Sequence, residues 1–226
     1  MKNKIILSVL FSVFTSTLSL AADRSELMEK AVTASNVLKE IASISDRGIP
    51  ESLLAHAVCV ATIPDVISGG VVFGARYGTG LVSCRVDASH WSRPSFVKIV
   101  GGSWGLQIGI ESTDVVLVFV NSNAPERLSH NNFTIGGDAS VAAGPVGREA
   151  QAGTDYKLGS EIYSYSRSRG LFAGLTFAGS SMSIERDSNA VIYGHAETAR
   201  ELFSTRSGGS TRSPDIYSRT LMMYAK

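Results

Sequence analysis

The spacing of apolar residues changes twice along the chain, from helical to alternating and back to helical. From Asp23 to Ile44, apolar residues recur every three or four positions, which predicts an amphipathic helix. A second helix is predicted from Pro50, because proline suits the first turn of a helix. The apolar run Cys59–Ile63 then predicts a short strand.

The middle of the chain, from Gly69 to Gly194, alternates short runs of β-forming residues with glycine or polar turns, and it holds 19 of the 22 glycines. Asp114 to Val120 is apolar on both faces and predicts a central strand. Glycine inside strands costs stability, so its repeated use here indicates tight curvature or close backbone contact. We therefore expect a strongly coiled antiparallel sheet or a small barrel.

Helical spacing returns towards the end of the chain. Helices are predicted at Asn123–His130 and His195–Ser204, and a third should begin at Pro214 and run to about Tyr224. The fold class that follows is α+β, with helices at both ends of the sheet. We expect one domain over residues 23–226, with a helical part at 23–58, a glycine-rich β core at 59–194 and a helical tail at 195–226.

Residues 1–22 have the layout of a secretory signal peptide. Lys2 and Lys4 precede an apolar stretch from Ile5 to Leu20, and small residues follow at Ala21. We therefore expect an exported protein, either periplasmic, envelope-associated or secreted. Without this segment the 21 basic residues fall to 19 against 20 acidic ones, so the formal charge is −1. That balance argues against a nucleic-acid-binding surface.

Catalytic and metal-binding motifs are weak. Gly101-Gly102-Ser103-Trp104-Gly105 fits the G-x-S-x-G pattern of a serine hydrolase, with Asp155 and His195 following in the required order. That chemistry needs a helix after the serine, whereas the sequence after Gly105 alternates like a strand. The four histidines are far apart, and no phosphate-binding loop is present. We expect no enzymatic activity, no metal and no cofactor, and keep the hydrolase as a minor alternative.

Several glycine- and serine-rich motifs occur in a fixed order between about Ala31 and Gly194. They are GGSWGLQIG at 101–109, STD at 112–114, GGDASVAA at 136–143, GPVGR at 144–148, SYSRSRGLFAG at 164–174 and YG at 193–194. In kind and order these motifs resemble the SYLF-domain family. The resemblance implies a non-enzymatic protein that binds anionic phospholipids, either phosphoinositide-like or with other acidic headgroups.

Basic side chains are the natural candidates for a lipid site, because arginine donates to phosphate in a planar fork and lysine adds local positive charge. The candidates are Arg76, Arg85, Arg93, Lys98, Arg167 and Arg169. Arg76 and Arg85 are expected to flank a hairpin through Gly78-Thr79-Gly80, and Arg167 and Arg169 are expected in an exposed turn.

The two cysteines, Cys59 and Cys84, either form a disulfide or are small buried residues. Resemblance to exported relatives favours the disulfide. The main alternative function is an envelope module that binds another protein, with Pro214–Tyr224 as its contact. Eukaryotic relatives bind actin, but we do not expect actin as a partner. The predicted signal peptide argues against it, and the family's basic actin-binding segment is not recognisable in Asp23–Lys39.

Overall fold

The computed structural model describes residues 23–44, 48–70, 73–104, 109–130, 132–145, 159–168, 171–173, 177–194, 197–208 and 213–225. The helices are α1 (Arg24–Ala42), α2 (Glu51–Ala55), α3 (Ala124–Ser129), α4 (Arg186–Tyr193), α5 (Ala199–Ser204) and α6 (Asp215–Tyr224). The strands are β1 (Cys59–Gly70), β2 (Phe73–Cys84), β3 (Ser95–Trp104), β4 (Gly109–Phe119), β5 (Phe133–Thr134), β6 (Val141–Ala143), β7 (Ile162–Ser168), β8 (Leu171–Ala173) and β9 (Ser180–Ile184). Together they form an α+β fold around one strongly curled sheet, which confirms the predicted fold class.

The strands follow the order β5-β9-β3-β2-β1-β4-β7-β6, and β8 pairs with β7 beside this path. Neighbouring strands are antiparallel except for β6 and β7, which run parallel. Parallel strands need a connection of a dozen residues or more, and residues 144–161 supply it. The sheet is therefore mixed rather than wholly antiparallel, a difference that the alternation of apolar residues could not reveal.

The first two strands are longer than expected, and Gly78-Thr79-Gly80 is part of β2 rather than a hairpin turn. A Cβ atom on Gly80 would lie 2.1 Å from the carbonyl oxygen of Thr62, and one on Gly78 would lie 2.8 Å from a Val66 methyl. These glycines let β1 pass very close to β2 where its register shifts between Thr62 and Ile67. The irregularity carries β1 through Pro64, because proline is tolerated at bulges. The predicted hairpin between Arg76 and Arg85 was therefore wrong.

The curled sheet has a hydrophobic cluster on each face. Helices α1, α2, α4 and α6 cover one face, where Leu38, Phe96 and Tyr217 are buried. Helices α3 and α5 help to cover the other face, where Ile63, Leu117 and Phe177 are buried. Alternate residues of β1 and β4 therefore face different clusters, which explains the strand that is apolar on both sides.

Two local differences from the predictions concern the later helices. Helix α4 lies inside the segment that was assigned to the β core, and it ends at Gly194, whose φ of 81° favours glycine. Helix α5 begins at Ala199, because the Thr198 side chain accepts a hydrogen bond from the Glu201 backbone in a capping box. Residues 195–196, where this helix was expected to begin, lie outside the described residues.

Cys59 and Cys84 are directly opposite each other in the β1–β2 pair, and a disulfide joins them. Both residues are fully buried in the cluster that α3 and α5 help to cover. The covalent link lies at one end of the two strands, and Gly70 and Gly74 lie at the other. We call the end of the sheet near Gly70 and Gly74 the open end.

Candidate functional site

At the open end of the sheet, three large apolar side chains lie in a line across neighbouring strands. Ile67 of β1 pairs with Tyr77 of β2, which in turn pairs with Val100 of β3. Their exposures are 51%, 52% and 47%, and Ile110 of β4, near the same end, is 78% exposed. We call Ile67, Tyr77, Val100 and Ile110 the apolar row.

The apolar row lies on the face of the sheet that α1 covers, beyond the helix itself. Thr79, two residues from Tyr77 on the same face of β2, accepts a hydrogen bond from the Lys30 ammonium of α1. A groove of about 290 Å³ separates α1 from this end of the sheet, with Ile67 and Tyr77 among its lining residues. Desolvation by burial raises the pKa of Tyr77, with a smaller contribution from the negative charge of Glu185.

Two lysines lie behind the apolar row. Lys98 of β3 pairs directly with Thr79, the residue that Lys30 contacts, so both lysines approach one point of the sheet. Lys98 has no ion pair within the described chain. The groove also has acidic lining residues, namely Glu26 and Glu29 from the same helix as Lys30, and Asp65 of β1. The surface therefore combines exposed apolar side chains with a pair of cations and a nearby acidic border.

Three of the predicted lipid-binding arginines have internal partners. Arg85 donates to backbone carbonyls at the ends of α2 and α6, including Leu54 at 3.2 Å and Ala225 at 3.0 Å, and it stacks on Trp91. Arg93 contacts both carboxylate oxygens of Glu197, at 3.0 and 3.1 Å.

Arg167 lies in β7 rather than in a turn, and it bridges two carboxylates from distant parts of the chain. Its Nη2 donates to Asp114 at 2.7 Å, and its Nη1 donates to Glu40 of α1. The hydrogen bonds to Asp114 and Glu40 raise the pKa of Arg167. Arg169, the other candidate predicted in the same turn, lies outside the described residues.

A network around Asp114 was not foreseen from the sequence. Asp65 has φ of 48°, and its backbone N–H donates to Asp114 at 3.2 Å, while Ser112 donates to the Asp65 carboxylate at 3.0 Å. Asp114 is thus shared between the β1 irregularity and Arg167. The sequence contained the STD motif at 112–114 and Arg167, but nothing in it showed that they are neighbours. The pairing of β4 with β7 places Asp114 opposite Arg167.

Arg76 differs from Arg85, Arg93 and Arg167 because neither a carboxylate nor a backbone carbonyl of the described chain accepts a hydrogen bond from it. Its guanidinium lies 4.4 Å from the centre of the Phe177 ring, and Nη1 donates to Ser180 Oγ at 3.3 Å. Nε is buried without a hydrogen-bond partner. Desolvation lowers the pKa of Arg76. Arg76 and Lys98 are thus the two predicted candidates, among those described, that no internal acid or carbonyl engages.

The geometry does not support the alternative chemistries. Ser103 is part of strand β3 and does not follow the strand at a sharp turn into a helix, so the nucleophile-elbow context is missing. Asp155 and His195 lie outside the described residues. In the part of the chain that is described, no three histidine, cysteine or carboxylate side chains form a group suited to a metal ion. None of the described helices has both the length and the apolar character of a membrane span.

Comparison with known proteins identifies the family. Residues 100–222 match the family model described as "Ysc84: Las17-binding protein actin regulator". The chain is 31% identical over 198 residues to human SH3 domain-containing YSC84-like protein 1, covering 85% of this chain and 58% of that protein. The chain belongs to the Ysc84 family. This is the SYLF-domain family that its motifs indicated.

Other members of the Ysc84 family are similarly related. The frog (Xenopus laevis) SH3 domain-containing YSC84-like protein 1 is 34% identical over 175 residues, which cover 75% of this chain and 52% of that protein. LAS seventeen-binding protein 3 of Saccharomyces cerevisiae is 35% identical over 165 residues, which cover 72% of this chain and 36% of that protein. The chain spans about half the length or less of these curated Ysc84 relatives.

Proposed function

We propose that the protein is exported and attaches peripherally to membrane surfaces that contain anionic phospholipid, through the open end of its sheet. The observation that carries this proposal is the apolar row with Lys30 and Lys98 behind it. Proteins that lie on membranes combine apolar side chains, which enter the boundary between headgroups and acyl chains, with cations that attract acidic headgroups.

The position of the apolar row distinguishes it from ordinary surface residues. Among the described residues, six large hydrophobic side chains are exposed, and four of them belong to the row. The other two, Val32 of α1 and Met223 of α6, lie on helices. Single exposed apolar residues need no explanation, but a contiguous group on adjacent strands is typical of an interaction surface.

The energy available from the apolar row is modest. Complete burial of a large aliphatic side chain contributes about 1.5–3 kcal/mol, so a half-exposed side chain gains about 1 kcal/mol on insertion. Each lysine near an anionic surface adds about 1 kcal/mol. The sum supports reversible attachment that depends on acidic lipid and weakens with salt, because exposed charges are screened within about 8 Å at physiological ionic strength.

Vesicle flotation tests the proposal. We expect the protein to float with vesicles of phosphatidylcholine mixed with phosphatidylserine at low salt, and not with phosphatidylcholine alone. The double variant Ile67→Ser/Val100→Ser should bind about 30-fold more weakly, from the loss of about 2 kcal/mol. Lys98→Gln should reduce binding about fivefold.

Val32→Ser/Met223→Ser is the matched control, because it removes two exposed apolar side chains outside the row. It should float like the unmodified protein. No flotation with acidic vesicles at low salt would refute lipid binding. Equal losses in the two double variants would instead refute the assignment of the site to the apolar row.

A protein partner is the second candidate, and the comparisons favour it. The family model is described as a Las17-binding actin regulator, and one relative is named a LAS seventeen-binding protein. These descriptions do not support the expectation that actin is an unlikely partner. Cosedimentation with filamentous actin tests this alternative, and Ile67→Ser/Val100→Ser would show whether actin uses the same surface.

A further inference from the structure

Arg76 is a partly desolvated cation without a counterion in the described chain. Arg93 and Arg167 are each held by carboxylates, and Arg85 by backbone carbonyls. Arg76 has only the Ser180 hydroxyl and the face of Phe177. Removing a charge from water without compensation is costly, so such an arginine is expected to gain from a bound anion.

The guanidinium of Arg76 is held in place with one side available. One face of the guanidinium lies against the ring of the buried Phe177, and its Nη1 donates to the hydroxyl of the buried Ser180. Nη2 has no hydrogen bond within the described chain and is not among the buried unsatisfied atoms, so solvent reaches it. The available donor is therefore presented by a side chain whose position is already fixed, which lowers the entropy cost of binding.

Neighbouring strands bring Ser180 against Arg76 and add a second donor. Gly101 of β3 pairs with Arg76, and a Cβ atom there would lie 2.4 Å from Ser180 Oγ, so glycine is required for Ser180 to approach. On the other side, Ser68 of β1 pairs with Arg76 and presents its side chain on the same face. The Ser68 hydroxyl makes no hydrogen bond to any described residue.

We propose that Arg76, with Ser180 behind it and Ser68 beside it, forms the binding site for a phosphate-type oxyanion, supplied either by a lipid headgroup or by free phosphate. A guanidinium next to a hydroxyl offers several donors to the oxygens of one phosphate group. Only the lipid source rests on the proposed function, because the site of Arg76, Ser180 and Ser68 does not depend on attachment to a membrane.

The site lies at the same end of the sheet as the apolar row. Arg76 and Tyr77 are consecutive in β2, so their side chains point to opposite faces. A sheet that meets a membrane with its open end would bring both faces to the headgroup layer at once. The apolar row would then enter the membrane on one face, while Arg76 meets a phosphate on the other.

Among the described residues, Glu111 is an acidic residue on the same face of the sheet as this site. It pairs with Ser68 in β4, so it lies two strands from Arg76, or about 10 Å between backbones, and the two side chains form no ion pair. At that distance in water its repulsion of an anion is about 0.4 kcal/mol, which is about a twofold change in affinity. Glu111 therefore weakens the site slightly without closing it.

Titration of the full chain with inorganic phosphate, followed by amide and arginine side-chain NMR signals, tests the inference. We expect saturable shifts at Arg76, Ser68 and Gly101. Arg76→Gln should weaken phosphate binding about tenfold or more, and Glu111→Gln should strengthen it about twofold. Arg219→Gln, which removes an exposed cation of α6, is the control and should change nothing.

Arg76→Gln also removes a desolvated charge, so it should retain or raise the melting temperature, and circular dichroism checks this. Equal phosphate binding by Arg76→Gln and the unmodified protein would overturn the inference. A second result would also overturn it. If Arg76→Gln and Glu111→Gln each lower stability, and the double variant lowers it no further, Glu111 is the internal partner of Arg76.

Vesicles separate the two sources of phosphate and the two proposals. Weaker flotation of Arg76→Gln with phosphatidic acid vesicles would assign the site to a lipid headgroup. Unchanged flotation, together with lost binding of inorganic phosphate, would assign it to free phosphate. Flotation that depends on the apolar row, with no phosphate shifts in solution, would overturn this inference while the proposed function stands.

Discussion

Alanine at Gly80 should destabilise the protein severely, because backbone atoms of β1 occupy the space that its Cβ would need. The new atom would lie 2.1 Å from the Thr62 carbonyl oxygen and 2.7 Å from the Ile63 Cα. Neither neighbour is a flexible side-chain end that could rotate away. Relief would require β1 to move away from β2 in the middle of the sheet, where Ile63 is fully buried.

The cost can be estimated from overpacking, which is typically about 1–3 kcal/mol when side chains can adjust. Here the contacts are backbone atoms, so we expect a loss at the upper end, about 3 kcal/mol or more. In a chain of this size that lowers the melting temperature by about 6–12 °C. Urea unfolding followed by circular dichroism measures the loss, and a shift of the midpoint without a change of slope would show that stability alone has changed.

Gly102→Ala is the matched control, because it places the same methyl group in the neighbouring strand β3. Its Cβ would lie 4.0 Å from the nearest neighbour, the Gly74 carbonyl oxygen. We expect little change or a gain of up to about 1 kcal/mol, from the reduced freedom of the unfolded chain. If both variants unfold at the same urea concentration, the close approach of β1 to β2 is not what Gly80 permits, and our explanation of the curled sheet fails.

Two further predictions concern links between distant segments. Arg167→Ala should lower the free energy of unfolding by about 1–2 kcal/mol in urea titrations, because Asp114 and Glu40 lose the cation that they share. Arg219→Ala, at an exposed residue, is the control and should leave the free energy of unfolding unchanged. Alkylation of unreduced protein from its native compartment should label neither Cys59 nor Cys84, and labelling of both thiols would contradict the disulfide. The Cys59→Ser/Cys84→Ser variant should lose about 3.5 kcal/mol of unfolding free energy, because the disulfide closes a loop with a sequence separation of 25 residues.

The periodicity of apolar residues was enough to predict the fold class, but not the extent of each strand. Helix α1 was predicted from its buried face, which includes Leu27, Ala31 and Leu38. Strand β1 was predicted to end at Ile63, where its run of apolar residues ends. The structure continues β1 through Pro64 because an irregularity there removes the need for its N–H. That arrangement depends on glycines in β2, so no local pattern in β1 could reveal it.

The candidate site could be predicted only as a set of residue types. Six basic residues were equivalent in the sequence, and their roles depend on partners far along the chain. Arg93 contacts Glu197, and Arg167 contacts Glu40, over separations of 104 and 127 residues. The apolar row has the same origin, because Ile67, Tyr77 and Val100 become neighbours only through the register of three strands.

The internal use of most arginines makes the remaining cations informative. A folded protein can satisfy a partly buried guanidinium with carboxylates or carbonyls, as Arg93, Arg167 and Arg85 demonstrate. Arg76 and Lys98 lie on adjacent strands at the end of the sheet where apolar side chains are also exposed, and no described acid pairs with either. Exposed apolar area reduces solubility, and a desolvated charge such as that of Arg76 reduces stability, when nothing binds them. Their coincidence at one end of one sheet is explained if that end meets a surface that is both apolar and anionic.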